Sequence, residues 1–586
     1  MPVICRLGGL VFATLAGLCG TPAAASTGKI AGTVTEAASA NPVPLANVTV
    51  VDSWLGATAD EQGHFFILNL PPGIYALQAS HVGYAPYTLK DVRVSVDLTT
   101  TVELSLTPAS VQLEGVVVPA ARPLVDKNAT NAVRIVEGED LINLPLRGVA
   151  DVLALQAGVV ESQGRFHVRG SRHDEVGYYV EGASVRNPVT GESAVTLISE
   201  AVQEIQLQAG GFNAEYGGAN GGLVLQELRT GGAEWKTGFS SETDRFTPRY
   251  NRRFDTYSYG HSNQVVTVGG SVNPAVRLFA ALQHRGRDSR AVFWDGFAFS
   301  DLVDSGDRGG RLHWADSAAP DTVRALVMRP GNIAHTGRRA YDFNGTLLLD
   351  YHPVQVRIAG LYSVDDLELN QAPVRNMLNL ERQPVARRSS GLLHLRATHL
   401  LDPSMFYQLD ASLYDQDRSF FDPVFEDDFL LYNDSTAVAG LSVAFTPYVS
   451  QGTAPRPYDF FGFPFARPGT PTSFGNGSER ASLYSVEEDT YYGLAASVTK
   501  QTKSHQLKLG LDYQRWTSRR YMVLLNSIRS AIRSTYPNLE AVYQRYHAGD
   551  IPQDALLDEL LAAGVERARP IVESTMDHVR QVMGLR

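Results

Sequence analysis

Cysteine is nearly missing. The chain of 586 residues has two, Cys5 and Cys19, and both fall within the first 25 positions. Residues 1–25 read as a cleaved targeting segment, so the mature chain is expected to carry no thiol, which excludes disulfides, zinc–thiolate sites and cysteine nucleophiles. Charge is sparse too, at 19% of residues, and the balance is −11. No long basic run reverses that balance, which argues against a nucleic-acid partner. HxxE and HExxH spacings are absent, as are a P-loop and any Ser/His/Asp arrangement. No catalytic residue, metal site or cofactor is therefore expected.

What is present favours strands. Glycine at 52, tyrosine at 25 and phenylalanine at 24 suit a strand-rich chain, and the length requires two or more domains. In the targeting segment Arg6 supplies the positive end and residues 7–18 form an apolar run too short to cross a membrane as a helix. Ala23, Ala25 and Ser26 then offer small residues for cleavage, so the protein is expected to be exported.

Residues 28–107 read as a seven-strand β-sandwich. Strand-length runs occur at 30–34, 46–51, 64–68, 75–79 and 101–106, separated by turn residues at 41–42, 60–63 and 71–73. The order GTV…PLANVTV…ATADEQGHFFILNLPPGIYALQASHVGY resembles a carboxypeptidase-regulatory-like domain, which implies a periplasmic spacer or docking module and no peptidase chemistry.

The most informative stretch is 164–232. FHVRG (166–170) and GYYVEG (177–182) are short strands ending on glycine, and residues 201–208 alternate, with Val202, Ile205 and Leu207 apolar. Residues 210–218 are glycine-rich, where backbone turns sharply or approaches another backbone. Arg169, Gly170, Glu181, Gly182, Gly211, Phe212, Tyr216, Gly217, Gly221 and Gly222 fall in one order along this stretch. That order resembles the plug of a TonB-dependent outer-membrane receptor, with Glu181 where aspartate is commoner. The resemblance implies a plug over 122–233, and within it residues 137–142 and 148–156 read as short helices, the second with Val149, Val152 and Leu153 on one face. Arg165, Arg169, Arg172, Asp174, Glu175 and Glu181 form a charged cluster in the plug, expected to make ordinary ion pairs.

Between sandwich and plug, residues 108–121 form a linker containing Leu113, Glu114, Gly115, Val116, Val117 and Val118. Three successive valines suit an extended segment that adds to a sheet edge. Its position resembles that of a TonB box; the sandwich's last strand and a plain linker are the other descriptions.

After Trp235 the pattern becomes long period-two strands. Phe343, Gly345, Leu347, Leu349 and Tyr351 share one face, with Asn344, Thr346, Leu348 and Asp350 opposite. Hairpin turns are expected at Asn273-Pro274, His352-Pro353, Asp402-Pro403 and residues 501–504, giving about nine strands over 234–520. Strands of about ten residues, apolar outside and polar inside, predict part of a transmembrane β-barrel. Long segments at about 286–340, 367–388 and 416–485 alternate with tight turns, as extracellular loops do with periplasmic turns. In the longest, Phe420, Phe421, Phe425, Tyr458, Phe460 and Phe461 are expected to pack the loop, and Glu426, Asp427, Asp428 and Asp434 to be solvated. Enclosing a plug takes about 22 strands, and 522–586 reads as helical, so the chain is expected to stop inside a loop.

The fold class expected is therefore mainly β: sandwich, small α+β plug, then partial barrel. The resemblance implies an importer in the outer membrane taking up a large scarce nutrient: a siderophore, cofactor, peptide or oligosaccharide. Its implied partners are the TonB energising complex, the barrel-assembly machinery, outer-membrane lipid and that nutrient ligand. The competing expectation is an adhesion or surface-assembly protein.

Overall fold

A computed structural model describes residues 27–108, 116–119, 133–143, 148–245, 258–289, 333–370, 383–426 and 483–524, apart from a few positions within these, and short strands between 297 and 328. The expected targeting segment with Ala23, Ala25 and Ser26, the linker residues Leu113, Glu114 and Gly115, the loop residues Asp427, Asp428, Asp434, Tyr458, Phe460 and Phe461, and the tail beyond 524 lie outside the described residues.

Seven strands build the N-terminal sandwich: β1 (Gly28–Glu36), β2 (Asn47–Val50), β3 (Gly56–Thr58), β4 (His64–Leu70), β5 (Gly73–Ser80), β6 (Tyr87–Val94) and β7 (Thr99–Leu106). One sheet has the order β4-β1-β7. The other has β3-β2-β5-β6-β8, where β8 is Val116–Pro119. The valine stretch thus lies beside the sandwich, pairing parallel to β6 from Tyr87↔Val116 to Lys90↔Pro119. Period-two alternation sends Ile30, Val34, Leu104 and Leu106 into a core with Ile67, Leu70 and Leu77. The turn before β4 is fixed by Asp60, whose Oδ1 accepts the backbone N–H groups of Gln62 and His64, both at 2.9 Å. Asp60→Ala removes both bonds and is expected to cost about 1–2 kcal/mol, read as faster amide exchange along β4. Unchanged protection of β4 would contradict this.

The plug holds β9 (Val133–Glu137), helices Gly138–Asn143 and Val149–Ala154, β10 (Val159–Ser162), β11 (Arg165–Val168), β12 (Val176–Val180), β13 (Ala183–Ser184), β14 (Val202–Gln208) and β15 (Gly222–Leu228). Its sheet runs β13-β12-β15-β14-β9, with β12 and β15 parallel, and β10–β11 form a separate hairpin. The alternation of β14 suggests one wet face, but Glu204, Gln206 and Gln208 are buried as deeply as Val202 and Ile205. The reason is the sandwich, which covers the polar face: Ser95 donates to Glu204 at 2.7 Å, and Gln206 donates to the Val96 carbonyl.

Nine antiparallel strands then follow in chain order: β16 (Lys236–Thr243), β17 (Ser262–Asn273), β18 (Val276–Arg287), β23 (Arg338–Tyr351), β24 (Val354–Glu368), β25 (Val385–Asp402), β26 (Met405–Phe421), β27 (Leu483–Gln501) and β28 (Gln506–Leu524). Between β18 and β23 lie β19 (Phe297–Phe299), β20 (Leu302–Asp304), β21 (Leu312–Trp314) and β22 (Leu326–Met328), paired β19 with β22 and β20 with β21. All four expected hairpin turns are present.

The burial pattern of this sheet is inverted relative to a water-soluble one. Asn344, Thr346, Gln355, Arg357, His394, Arg396, Gln408 and Asp489 are buried, whereas Phe343, Tyr362, Leu395, Leu409 and Leu494 are exposed. Apolar residues on the outside and polar residues on the covered side are what a membrane wall requires. Among the described residues no helix is long and apolar enough to cross a membrane.

Two expectations need correction. The strands are longer than ten residues, reaching 19 in β27 and β28. About ten suffice to cross a bilayer; the surplus continues toward the long loops, tied by cross-strand pairs Arg338–Asp365, Arg387–Asp366 and Arg418–Glu487. Met522 to Leu524 are strand rather than helix, because they pair with Ser485 to Leu483.

Candidate plug–wall interface

The functional geometry centres on Glu181. Glu181 and Gly182 both take positive φ, 53° and 80°, and form the two-residue turn between β12 and β13. Such a turn demands left-handed backbone at both positions, hence the acid–glycine pair. The turn carries Glu181 to the plug's edge, where its side chain is fully buried against the wall. Its Oε2 accepts from Arg357 Nε at 2.6 Å, and Oε1 accepts from Arg357 Nη2 and the Leu228 N–H, both at 2.8 Å. Arg357 stands near the start of β24, on its covered face, and donates further to the Leu228 carbonyl and to Thr230. This bidentate fork is the geometry in which guanidinium and carboxylate bind most firmly.

A second layer surrounds the fork. Arg396 on β25 donates to the Glu181 carbonyl and, through Nε at 2.8 Å, to Asp410 on β26. Gln408 and His394 also contact Asp410. Burial pushes the Glu181 carboxyl up, but Arg357 foremost, with Arg396 and the Leu228 N–H, outweighs it and holds it well below the usual carboxylate range. The plug edge is therefore anionic at any physiological pH, and the wall opposite supplies two buried cations.

Other strands reach plug backbone directly. Asn344 on β23 accepts from the Ile198 N–H at 2.7 Å; Arg388 and Tyr414 donate to the Ala194 carbonyl at 2.7 and 3.0 Å; Asn187 donates to Asp489 at 2.8 Å. Apolar contact accompanies them, with Phe279, Ala281, Leu361, Leu392 and Tyr491 joined to the plug core. His394 bridges Ser412 and Asp410, with Nδ1 3.0 Å from Ser412 Oγ and Nε2 3.3 Å from Asp410 Oδ1; among the described residues no group of three metal-ligating side chains occurs.

The structure sorts the residues singled out in the sequence. Of the charged cluster, Glu181 pairs with the wall. Arg165 pairs with Glu192 and Arg172 with Asp174 and Glu175, all within the plug and partly exposed. Arg169 and Gly170 form a second positive-φ pair, a turn closed by the Ser171 N–H on the Val168 carbonyl. Phe212 and Tyr216 join a small apolar cluster with Val96, Tyr179 and Leu223. A Cβ on Gly221 would lie 2.1 Å from Ser171 Oγ, and one on Gly222 2.9 Å from Val168, so neither position has room for a side chain. Gly211 takes φ 71°, whereas Gly217 has neither a positive φ nor a close neighbour. Phe420 and Phe421, expected in the loop, are instead the last residues of β26, paired with Ala386 and Val385, because the strand runs on past the expected loop boundary; Phe425 just beyond it is buried. Arg396, Asp410 and Arg388 were not singled out by sequence as interface residues. Their one local signal is a charge on the polar face of an alternating strand.

Comparison with known proteins follows the same division. Residues 29–107 match the carboxypeptidase regulatory-like domain, and residues 125–223 match the TonB-dependent receptor plug domain. The TonB-dependent transporter Oar of Myxococcus xanthus is 29% identical over 232 residues, covering 37% of this chain and 22% of the relative. Among solved structures, the outer membrane transporter YddB from Escherichia coli is 10% identical with a TM-score of 0.40, over 67% of this chain and 48% of that one. The ferric yersiniabactin uptake receptor FyuA from Yersinia pestis is 12% identical with a TM-score of 0.38, over 67% and 49%. The chain thus spans about half the length of these solved relatives. In its N-terminal half the chain is thus similar to a carboxypeptidase regulatory-like domain followed by a TonB-dependent receptor plug domain, and it shares a 232-residue stretch with a TonB-dependent transporter.

Proposed function

We propose that the protein takes part in active import across the outer membrane, binding a large scarce nutrient outside and releasing it inward when the plug moves. The observation that carries this reading is the Glu181–Arg357–Arg396 contact, which seats the plug on the wall through a few directional polar bonds. Such bonds break as a set when the plug shifts by an ångström or two, because hydrogen-bond strength falls steeply with distance and angle. The N-terminal segment 1–25 directs export, 28–107 is a periplasmic module, 108–121 carries the box at 113–118, 122–233 is the plug, and 234–520 belongs to the barrel. Within the box, Val116, Val117 and Val118 are the part held in β8. The plug signature from Arg169 to Gly222 shapes the turns that seat the plug and has no catalytic task. Energy comes from the TonB complex, insertion from the barrel-assembly machinery, and the apolar outer face meets lipid. A siderophore, cofactor, peptide or oligosaccharide is the cargo class.

The test compares cells carrying the receptor with cells carrying a deletion of 113–118. Each is offered labelled ferric siderophores, cobalamin, peptides and oligosaccharides, with and without a protonophore. Import is supported if one probe accumulates in the first strain and its accumulation falls at least about tenfold with the deletion or the protonophore. Surface attachment that survives the deletion, with no probe accumulated, would instead support an adhesion role.

A further inference from the structure

β8 and the plug are two loads hung on one strand. The first half of β6 pairs with β8 through Tyr87, Thr88, Leu89 and Lys90. The strand then bulges at Asp91, where φ is 59° and the register to β5 shifts between Tyr75 and Leu77. Its second half runs straight into the plug. Arg93 pairs with Glu137 on β9 at 2.8 Å, Ser95 donates to Glu204 on β14, and the Val96 carbonyl accepts from Gln206. Val96 is 1% exposed among Tyr179, Tyr216, Ala219, Leu223 and Leu225, and Tyr216 donates to Asp97. Four of the five residues 93–97 thus touch three parts of the plug, while Val94 faces the sandwich core.

We propose that β6 is a force relay: the energising partner adds its strand to β8 while β8 stays on the sandwich, and the pull reaches the plug through residues 93–97 rather than through the linker 120–132. This rests on the import reading above. Two features of the geometry support it. Among the described residues β8 is the last strand of its sheet, paired to β6 on one edge and to no strand on the other, where a strand supplied by the partner can add. Beyond β8 the contacts of 93–97 fall on β9, β14 and the Tyr216 turn, so the plug sheet is moved across its breadth. A pull through the linker alone would enter at β9, the sheet's outermost strand.

The relay is tested in the full receptor, with three variants assayed for protonophore-sensitive uptake of whichever probe the unmodified receptor accumulates. If the unmodified receptor accumulates none, the import reading fails before the relay is reached. Thr88→Cys with Val117→Cys, opposite each other in the β6–β8 register, is joined by a short bifunctional thiol reagent. Ten Gly/Ser residues inserted between 120 and 132 add roughly 17 Å of slack. Ser95→Ala with Tyr216→Phe removes two of the plug contacts while leaving the sandwich core untouched. The relay predicts uptake within about twofold of the unmodified receptor for the cross-linked and lengthened forms, and a loss of about tenfold for Ser95→Ala/Tyr216→Phe. Loss of uptake on cross-linking, loss on lengthening, or unchanged uptake in the third variant each overturns it.

Discussion

Arg357→Ala is expected to loosen the seated plug by about 3–5 kcal/mol, the cost of removing one partner from a buried ion pair. The cost comes from what remains. Glu181 is fully buried and would keep its charge with one N–H and a more distant guanidinium, having lost both arms of the fork. Arg357→Lys should recover part of the loss, since a point charge returns but the planar fork does not. Adding Glu181→Gln to Arg357→Ala should recover more, because a neutral amide costs far less to bury than an unpaired carboxylate. Hydrogen exchange along β12 and β15 reads the result: roughly 10²–10³-fold faster in Arg357→Ala and close to the unmodified rate in the double variant. The ordering should hold in high salt, because buried pairs are screened little. Equal exchange in Arg357→Ala and the unmodified protein would mean that the apolar contacts around Tyr414 and Leu361 seat the plug alone.

The wall was legible before the structure because its signals are local. A hairpin such as that between β23 and β24 is written in residues 343–363, through two-residue periodicity on either side of His352-Pro353. The plug signature was legible for a similar reason. Glu181-Gly182 and Arg169-Gly170 are positive-φ turns, and backbone of that kind leaves a mark in the residues that adopt it. What a turn residue then touches is a different matter. Glu181 and Arg357 lie 176 positions apart, and neither carries any local sign of the other. Arg357 reads as one polar residue in an alternating strand. β6 was passed over because its bulge at Asp91 breaks the alternation that identified its neighbours. The valine stretch was open between box, strand and linker. Its pairing with β6 is a long-range contact to a strand that sequence did not name. The cover on the polar face of β14 was illegible for the same reason, since it comes from residues 95 and 96.

Docking of the sandwich on the plug is expected to tighten as pH falls from 8 to 6. Burial pushes the Glu204 carboxyl up to about 7; Ser95, the Val96 backbone and Arg93 oppose this and Glu137 adds to it. Asp97, half-buried at the same interface, is also raised to about 7, by burial and by Glu215, against Lys508, Tyr216 and Arg396. Once the two domains separate, both acids regain water and should return toward about 4. The docked state therefore binds protons more tightly than the separated one. That contribution to docking is fully present below about pH 4 and is lost as pH rises through about 7. Two such groups shift the docking equilibrium by about tenfold to a hundredfold between pH 8 and 6, the lower end allowing for the partial exposure of Asp97. Spin labels at Val82→Cys and Val189→Cys, both on exposed positions, would report the docked fraction as the width of their distance distribution. Asp97→Asn with Glu204→Gln mimics the protonated pair and should hold the narrow distribution at both pH values. If that variant broadened with pH as the unmodified chain does, titration elsewhere would govern docking. If it stayed narrow, a receptor whose sandwich relays the pull would transmit it best in mildly acidic surroundings, because more of the plug contacts in 93–97 would be made when the partner arrives.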